Sequence, residues 1–314
     1  MGKTASLVVG AMNFGKRTSE AESRAIVARA IERGVAAFDT ANAYNDGESE
    51  RILRRALGKD RGRCTVATKV GFGRVAGKPE GLSPARVTAS IDESLARLGT
   101  DYVDVYYLHV PDYATPIEAT LEAMKRVLDA NKARAWGVSN YASWQILEMM
   151  TLADRMGMPR PTISQQMYNL LIRQLEIEYF KFTARYPIHT TVYNPLAGGL
   201  LTGKHSRGTP AAEGSRFANN PFYQRRYWSD AFFDATEKLA AIAKGASMSL
   251  TDLAYAWIAH RDGVDSILVG PATVAHLDAA IEALENEKVL DQGTLEAIDA
   301  VYRDLAGTNA TYAR

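Results

Sequence analysis

Four residues in the first part of the chain have the types that proton chemistry at a carbonyl requires: Asp39, Tyr44, Lys69 and His109. Asp39 ends an apolar run, Val35-Ala36-Ala37-Phe38, that reads as a short buried strand. Tyr44 follows in a polar turn made of Asn42, Asn45, Asp46 and Gly47. A tyrosine is a poor acid near neutrality, with an ordinary pKa of about 10. A lysine ammonium beside it lowers that value by stabilising the phenolate. Asp39 can hold Lys69 charged and in place, and His109 can hydrogen-bond the oxygen that Tyr44 protonates. Such a set delivers a proton to a carbonyl oxygen while something else attacks the carbon. Cys64 precedes its strand rather than following it, and no other protein nucleophile is evident. The attacker is best supplied as hydride by a cofactor. Taken alone, the stretch around Asp39 also reads as a plain turn, because Asp-Thr and Asn-Asp-Gly are ordinary turn formers. What stands at the other strand ends separates the two readings.

Hydrophobic patterning predicts strands over 7–10, 35–39, 65–69, 102–108, 134–138, 162–165, 187–193 and 266–269. A helix capped by Thr18 or Ser19 and ended by Gly34 follows the first strand. Further helices are expected over 48–57, from Ser83-Pro84 to about 98, 116–131, 143–155, 174–185, 231–244, 250–261, 274–285 and 292–305. In the Ser83-Pro84 helix, serine caps, proline takes the first turn, and Val87, Ile91, Leu95 and Leu98 form the core face. Strand–helix alternation implies parallel pairing through helical crossovers. Eight such units fit a closed (β/α)8 TIM barrel of the α/β class better than an open sheet. No linker interrupts residues 1–314, so one domain is expected, with extra helices and a long loop at 196–230 after the seventh strand. No internal sequence repeat accompanies the alternation.

In such barrels chemistry occurs at the C-terminal ends of the strands. Those ends read Asp39 with Tyr44, Lys69, His109, Ser139-Asn140, Gln165, Asn194 and Gly270. The second to the seventh are all polar, in a chain whose strand interiors are apolar. One or two could be helix caps; six in a row converge on one mouth and point to a catalytic site.

Composition narrows the alternatives. The 314 residues are 46% apolar, ample for a core, and the net charge of +1 gives no field for nucleic acid or a membrane surface. A single cysteine excludes an intramolecular disulfide. No apolar run reaches the roughly 18 residues of a membrane helix, and no signal peptide is evident, so a soluble cytoplasmic protein is expected. Residues 1–6 fit the loose myristoylation pattern, which is short and weak. The five histidines lack ligand spacing, so no metal site is expected. Residues 198–204 match GxxxxGK, but His205 stands where a P-loop places Ser or Thr. A Schiff-base aldolase using Lys69 is the barrel alternative; against it, Asp39 keeps Lys69 protonated. The spacing of Trp144, Leu147 and Met150 reads as helix packing rather than a ligand box.

The settings FDTANAY, ATKVG and VYYLHVPD around these four residues resemble the catalytic tetrad of the aldo-keto reductase superfamily. WGVSNYASW, SQQMYN and YNPLAGGLLTGK extend the resemblance over essentially the whole chain. HVPDYATPIEATL, MYNLLIRQLEIEYF and RRYW make it most similar to the aflatoxin-aldehyde and succinic-semialdehyde reductase branch. The resemblance implies NADPH-dependent reduction of aldehydes and some ketones, with Tyr44 as general acid, and a branch that is often homodimeric. It implies that Met12 and Asp39 border the cofactor, that Ser139, Asn140 and Gln165 bind the carboxamide, and that Tyr193 stacks under the nicotinamide. Asn194, Leu196, Gly198, Gly199, Leu201 and Lys204 would wrap the pyrophosphate. Glycines there let backbone N–H groups approach phosphate, and Lys204 adds charge. A second cofactor segment would include Gly270, Thr273 and His276. His276 and Ala280 depart from the amide side chains more usual there; Lys204 and Arg216 favour NADPH, and NADH use stays open. A regulatory subunit of the potassium-channel β kind shares the fold and the tetrad, so a cofactor-binding sensor is the other reading.

Phe222, Tyr223, Arg226 and Tyr227 read either as an aromatic and cationic substrate loop or as the start of a surface helix. The resembling branch uses a terminal arginine on the substrate carboxylate. Arg314 is either that group or a frayed terminus.

Overall fold

A computed structural model describes residues 5–286 and 288–307. Eight parallel strands are β1 Ser6–Gly10, β2 Ala37–Asp39, β3 Thr65–Val70, β4 Val103–Leu108, β5 Ala133–Ser139, β6 Ile163–Met167, β7 His189–Tyr193 and β8 Ser266–Val269. Each pairs with its sequence neighbours, and β1 pairs with β8, so the sheet closes on itself. This is the expected (β/α)8 barrel, and closure leaves no exposed sheet edge.

Register fixes which strand ends meet. Asp39 pairs with Gly10 and Ala67, Lys69 with Tyr107, and Ser139 with Gln165. The polar residues therefore form one ring at the C-terminal mouth. Outside the ring of strands, Val9, Phe38, Val66, Leu108 and Val138 pack in a dry core with helical residues such as Ile26, Leu53, Val87, Ile91 and Met124. Each such side chain contributes about 1.5–3 kcal/mol by burial, so the site stands on a stiff frame.

The helices begin where their caps predict. Ser19 accepts from the Glu22 amide ahead of the helix Glu20–Glu32, and Ser83 accepts from the Arg86 amide ahead of Pro84–Leu98, the helix between β3 and β4. Four departures matter. Helix 174–185 breaks into a short turn, Gln174–Glu176, and a helix, Tyr179–Arg185. Residues 74–79 form a small antiparallel hairpin after β3 that sequence patterning did not show. The long excursion contains a two-turn helix, Pro221–Tyr227, capped by Asn220. Trp144 is also a departure from simple packing: Met150 is buried and Leu147 half-buried, but Trp144 is 63% exposed. Among the described residues no helix is long and apolar enough to cross a membrane.

Candidate active site

A cavity of about 1670 Å³ opens at the mouth and is lined by residues from the ends of most barrel strands. At its floor the buried Lys69 ammonium bonds to Asp39 and, at 2.8 Å, to the Thr40 carbonyl. The other Asp39 oxygen accepts from Gln165 Nε2 at 2.9 Å. Burial draws the Lys69 pKa down, and the Asp39 carboxylate opposes that.

Tyr44 stands half-buried above this pair, with Lys69 Nζ 5.3 Å from its ring centre. The sequence expectation that Lys69 draws the tyrosine pKa down is not met in the resting site. Lys69 spends its protons on Asp39 and Thr40, while burial, then Asp39, pushes Tyr44 well above its usual value. Tyr44 is a phenol at neutral pH. His109 meets it edge-on, with ring centres 5.9 Å apart. Burial, aided by the Lys69 charge, holds His109 well below the usual imidazole value, so it is neutral. Its Nδ1 is buried without a hydrogen-bond partner.

Asn140 ties the next four strands together. Its side chain donates to the His109 carbonyl and to Ser139 Oγ, both at 3.0 Å, and accepts from the Tyr193 hydroxyl at 2.6 Å. Both Asn140 and Asn194 are left-handed, at φ 65° and 59°. Asparagine tolerates that region better than most residues, and such strain collects at functional sites. Asn194 Nδ2 is buried and unpartnered, a donor without an acceptor.

Beyond Asn194 the walls change character. Gly198 and Gly199 take φ of 71° and 111°, and a Cβ on Gly198 would lie 2.9 Å from the Tyr223 ring. Arg17, Lys204, Arg216 and Arg226 all line the cavity, and among the described residues none has an ion-pair partner. Burial and Arg216 pull the Arg17 pKa down to about 10. Burial, then Arg17, lowers that of Lys204, and burial with Lys204 and Arg17 lowers that of His276. Crowded cations of this kind, beside an orphaned amide donor and a glycine cradle, are built to receive an anion.

Met12, Ser139, Gln165, Tyr193, Leu196, Gly270, Phe222 and Tyr223 also border the cavity. Four expected site residues do not: Lys69, fully buried beneath the lining, and three others. Leu201 and Tyr227 are fully buried in the core, Tyr227 donating to the Met167 sulfur. Tyr227 shares a helix face with Tyr223 but lies one turn further on, where its ring packs among those of Phe217, Tyr223 and Phe232 instead of reaching the cavity. Thr273 caps the helix Val274–Glu285 through the His276 amide. On that helix Ala280 is buried and Ala279 faces the cavity. Arg314 lies outside the described residues.

Sequence reasoning missed Asn13, Arg17 and Phe72. Asn13 donates to the carbonyls of Gly270 and Pro271 and accepts from Arg17 and Arg216. Arg17 also donates to the Gly214 carbonyl. Nothing local distinguishes Arg17 from the neighbouring Lys16. Phe72 did carry a signal, a large apolar side chain between two glycines just past a strand end.

Proton-donating and carbonyl-orienting groups thus share one cavity with an unneutralised cation cluster, and a phosphate-bearing redox dinucleotide fits those walls. Fold and site define a (β/α)8 oxidoreductase. Residues 6–303 match the model of the Aldo/keto reductase family, and the chain belongs to that family. It is an NADP(H)-dependent aldo-keto reductase. It is 35% identical over 322 residues to human "Aflatoxin B1 aldehyde reductase member 2", covering 98% of this chain and 89% of that protein. It is 33% identical over 309 residues to human "Aldo-keto reductase family 7 member A3", covering 94% and 93%. It is also 33% identical over 307 residues to a rice "Probable voltage-gated potassium channel subunit beta", covering 96% and 93%.

Proposed function

We propose that this reductase acts on aldehydes with NADPH, through Tyr44 as general acid, and prefers substrates that carry a carboxylate. The observation that carries the reading is the placement of a protonated Tyr44 and a neutral His109 in the same cavity as the unpaired cations. A nicotinamide held there would supply hydride to the carbonyl carbon. Tyr44 gives its hydroxyl proton to the carbonyl oxygen, and the phenolate so formed is stabilised by the Lys69 ammonium below it. Asp39 holds that ammonium in place, which a buried lysine would otherwise tend to neutralise. His109, with Nδ1 buried, offers Nε2 to the same substrate oxygen and fixes its position. A phenol with a raised pKa is fully protonated at neutral pH, which suits the reductive direction.

Ser139, Asn140 and Gln165 are proposed to face the carboxamide, with Tyr193 against the ring. Gly198, Gly199 and the free Asn194 amide would meet the pyrophosphate. Arg17, Lys204 and His276 would take the remaining phosphate, which favours NADPH over NADH. The substrate carboxylate is assigned to Arg226, which lies over the Phe222 ring at 4.5 Å and has no carboxylate partner among the described residues.

The test follows NADPH oxidation with 4-nitrobenzaldehyde and succinic semialdehyde. Tyr44→Phe should lower turnover by about 10²–10⁴ while NADPH still binds. Near-normal rates in Tyr44→Phe would remove it as the acid. Tight NADPH binding by the wild type without turnover of either aldehyde would favour a sensor role, as the channel-subunit relatives allow.

A further inference from the structure

The loop after β3 carries Phe72 between Gly71 and Gly73, and both flanking amides donate to one oxygen of Glu80, at 2.8 and 3.2 Å. The other Glu80 oxygen accepts from Asn42 Nδ2 at 2.6 Å, and Arg86 Nε lies 3.1 Å away as an ion pair. The Glu80 side chain is only 2% exposed. A buried carboxylate is costly unless it is paired and hydrogen-bonded, and here three donors and the Arg86 charge meet it. Asn42 stands just ahead of Tyr44, and its own amide donates to the Lys69 carbonyl. One side chain therefore holds the substrate side of Phe72 and the catalytic side of Tyr44 to a common point.

The glycines leave no slack in this arrangement. Gly71 sits at φ 110°, where a Cβ would come within 2.6 Å of Leu82, and a Cβ on Gly73 would lie 3.3 Å from Ala43. Phe72 is thereby directed over the site, its ring centre 5.1 Å from His109 and 6.5 Å from Phe222. Phe72 and Phe222 are 51% and 45% exposed and come from separate segments, the loop after β3 and the helix Pro221–Tyr227. Exposed rings beside a reacting centre gain contact and lose water only when a flat apolar group lies between or against them.

We infer that Glu80 is a positioning residue that sets Phe72 as a wall selecting aldehydes with a planar aromatic body. The inference rests on the reductase reading above and names the substrate feature that this corner of the site recognises. Glu80 acts through Phe72 and the Asn42 link and does not itself touch substrate.

The experiment compares wild type, Glu80→Gln, Phe72→Ala and the double variant. For each, kcat and KM are measured for 4-nitrobenzaldehyde and for propanal, and amide hydrogen exchange is followed across residues 70–82. Glutamine keeps the shape of the side chain but cannot accept from both glycine amides and Asn42 as a carboxylate does. Exchange at 71–73 should rise more than tenfold in Glu80→Gln. The ratio of kcat/KM for the aromatic over the small aldehyde should fall about three- to tenfold, as expected for lost aromatic contact. Phe72→Ala should produce the same fall, and the double variant no more than either alone. Should Glu80→Gln fold poorly, Glu80→Asp keeps the charge with a shorter reach and should give a smaller loss of the same kind.

A merely structural Glu80 would slow both aldehydes alike, and an unchanged ratio would overturn the inference. Additive losses in the double variant would overturn it too. Exchange at 71–73 that does not change refutes the holding role whatever the turnover, whereas absence of wild-type turnover on either aldehyde strikes the reductase reading instead.

Discussion

Replacing Asp39 by Asn isolates the electrostatics at the base of the site. Asn keeps the shape of Asp39 and removes the charge facing a fully buried Lys69 ammonium, which is left with neutral acceptors alone, the Thr40 carbonyl among them. Breaking one side of a buried pair costs about 3–5 kcal/mol. Lysine can escape part of that cost by releasing its proton. From an unfolded pKa near 10.4, doing so at pH 7 costs about 1.4 kcal/mol per pH unit, roughly 4.6 kcal/mol in all. At pH 9 the same release costs only about 1.9 kcal/mol. The sign follows from proton binding: burial depresses the Lys69 pKa, and losing Asp39 depresses it further. Between that depressed pKa and the unfolded one, the unfolded chain binds the extra proton, so stability rises with pH. The expected result is a deficit of about 3–5 kcal/mol at pH 7, a large part of the 5–15 kcal/mol typical of a domain. It should shrink by up to about 1.4 kcal/mol per pH unit toward pH 10. Urea unfolding followed by tryptophan fluorescence and by circular dichroism measures this wherever the two probes coincide. Asp39→Asn with Lys69→Met should regain most of the loss, since no buried charge remains. A deficit under 1 kcal/mol at pH 7, or one that stays constant as pH rises, would refute the reasoning.

Two further outcomes follow from the cation cluster. Arg17→Met should weaken NADPH binding about 10- to 150-fold, the range for a hydrogen bond to a charged group, and flatten its salt dependence. A smaller loss for NADH in a fluorescence titration would place Arg17 at the extra phosphate, and no loss for either would remove it from the cofactor site. Arg226→Gln should raise KM for succinic semialdehyde at least about tenfold and leave uncharged 4-nitrobenzaldehyde much less affected. Equal losses for both aldehydes in steady-state kinetics would remove the carboxylate role.

Apolar strand runs, helix caps and strand–helix alternation already determine the barrel, because each is a local preference that the global fold reinforces. The six polar strand ends are equally legible: in a parallel barrel every strand points its C-terminus to the same mouth, so chain order alone brings Lys69, His109, Asn140, Gln165 and Asn194 together. What sequence could not settle is anything that depends on which way a side chain turns. Tyr227 and Leu201 carry plausible types but face the core, while Arg17, which nothing local sets apart from Lys16, lines the cavity. The protonation of Tyr44 was likewise decided by tertiary structure. A lysine near a tyrosine in sequence order implies a lowered pKa, yet here the lysine is committed to Asp39 and burial dominates. Apolar strand runs and cap chemistry act over a few residues and can be read from the chain. Desolvation, and the sharing of one charge among several partners, depend on atoms brought in from distant strands and exist only once the barrel has closed.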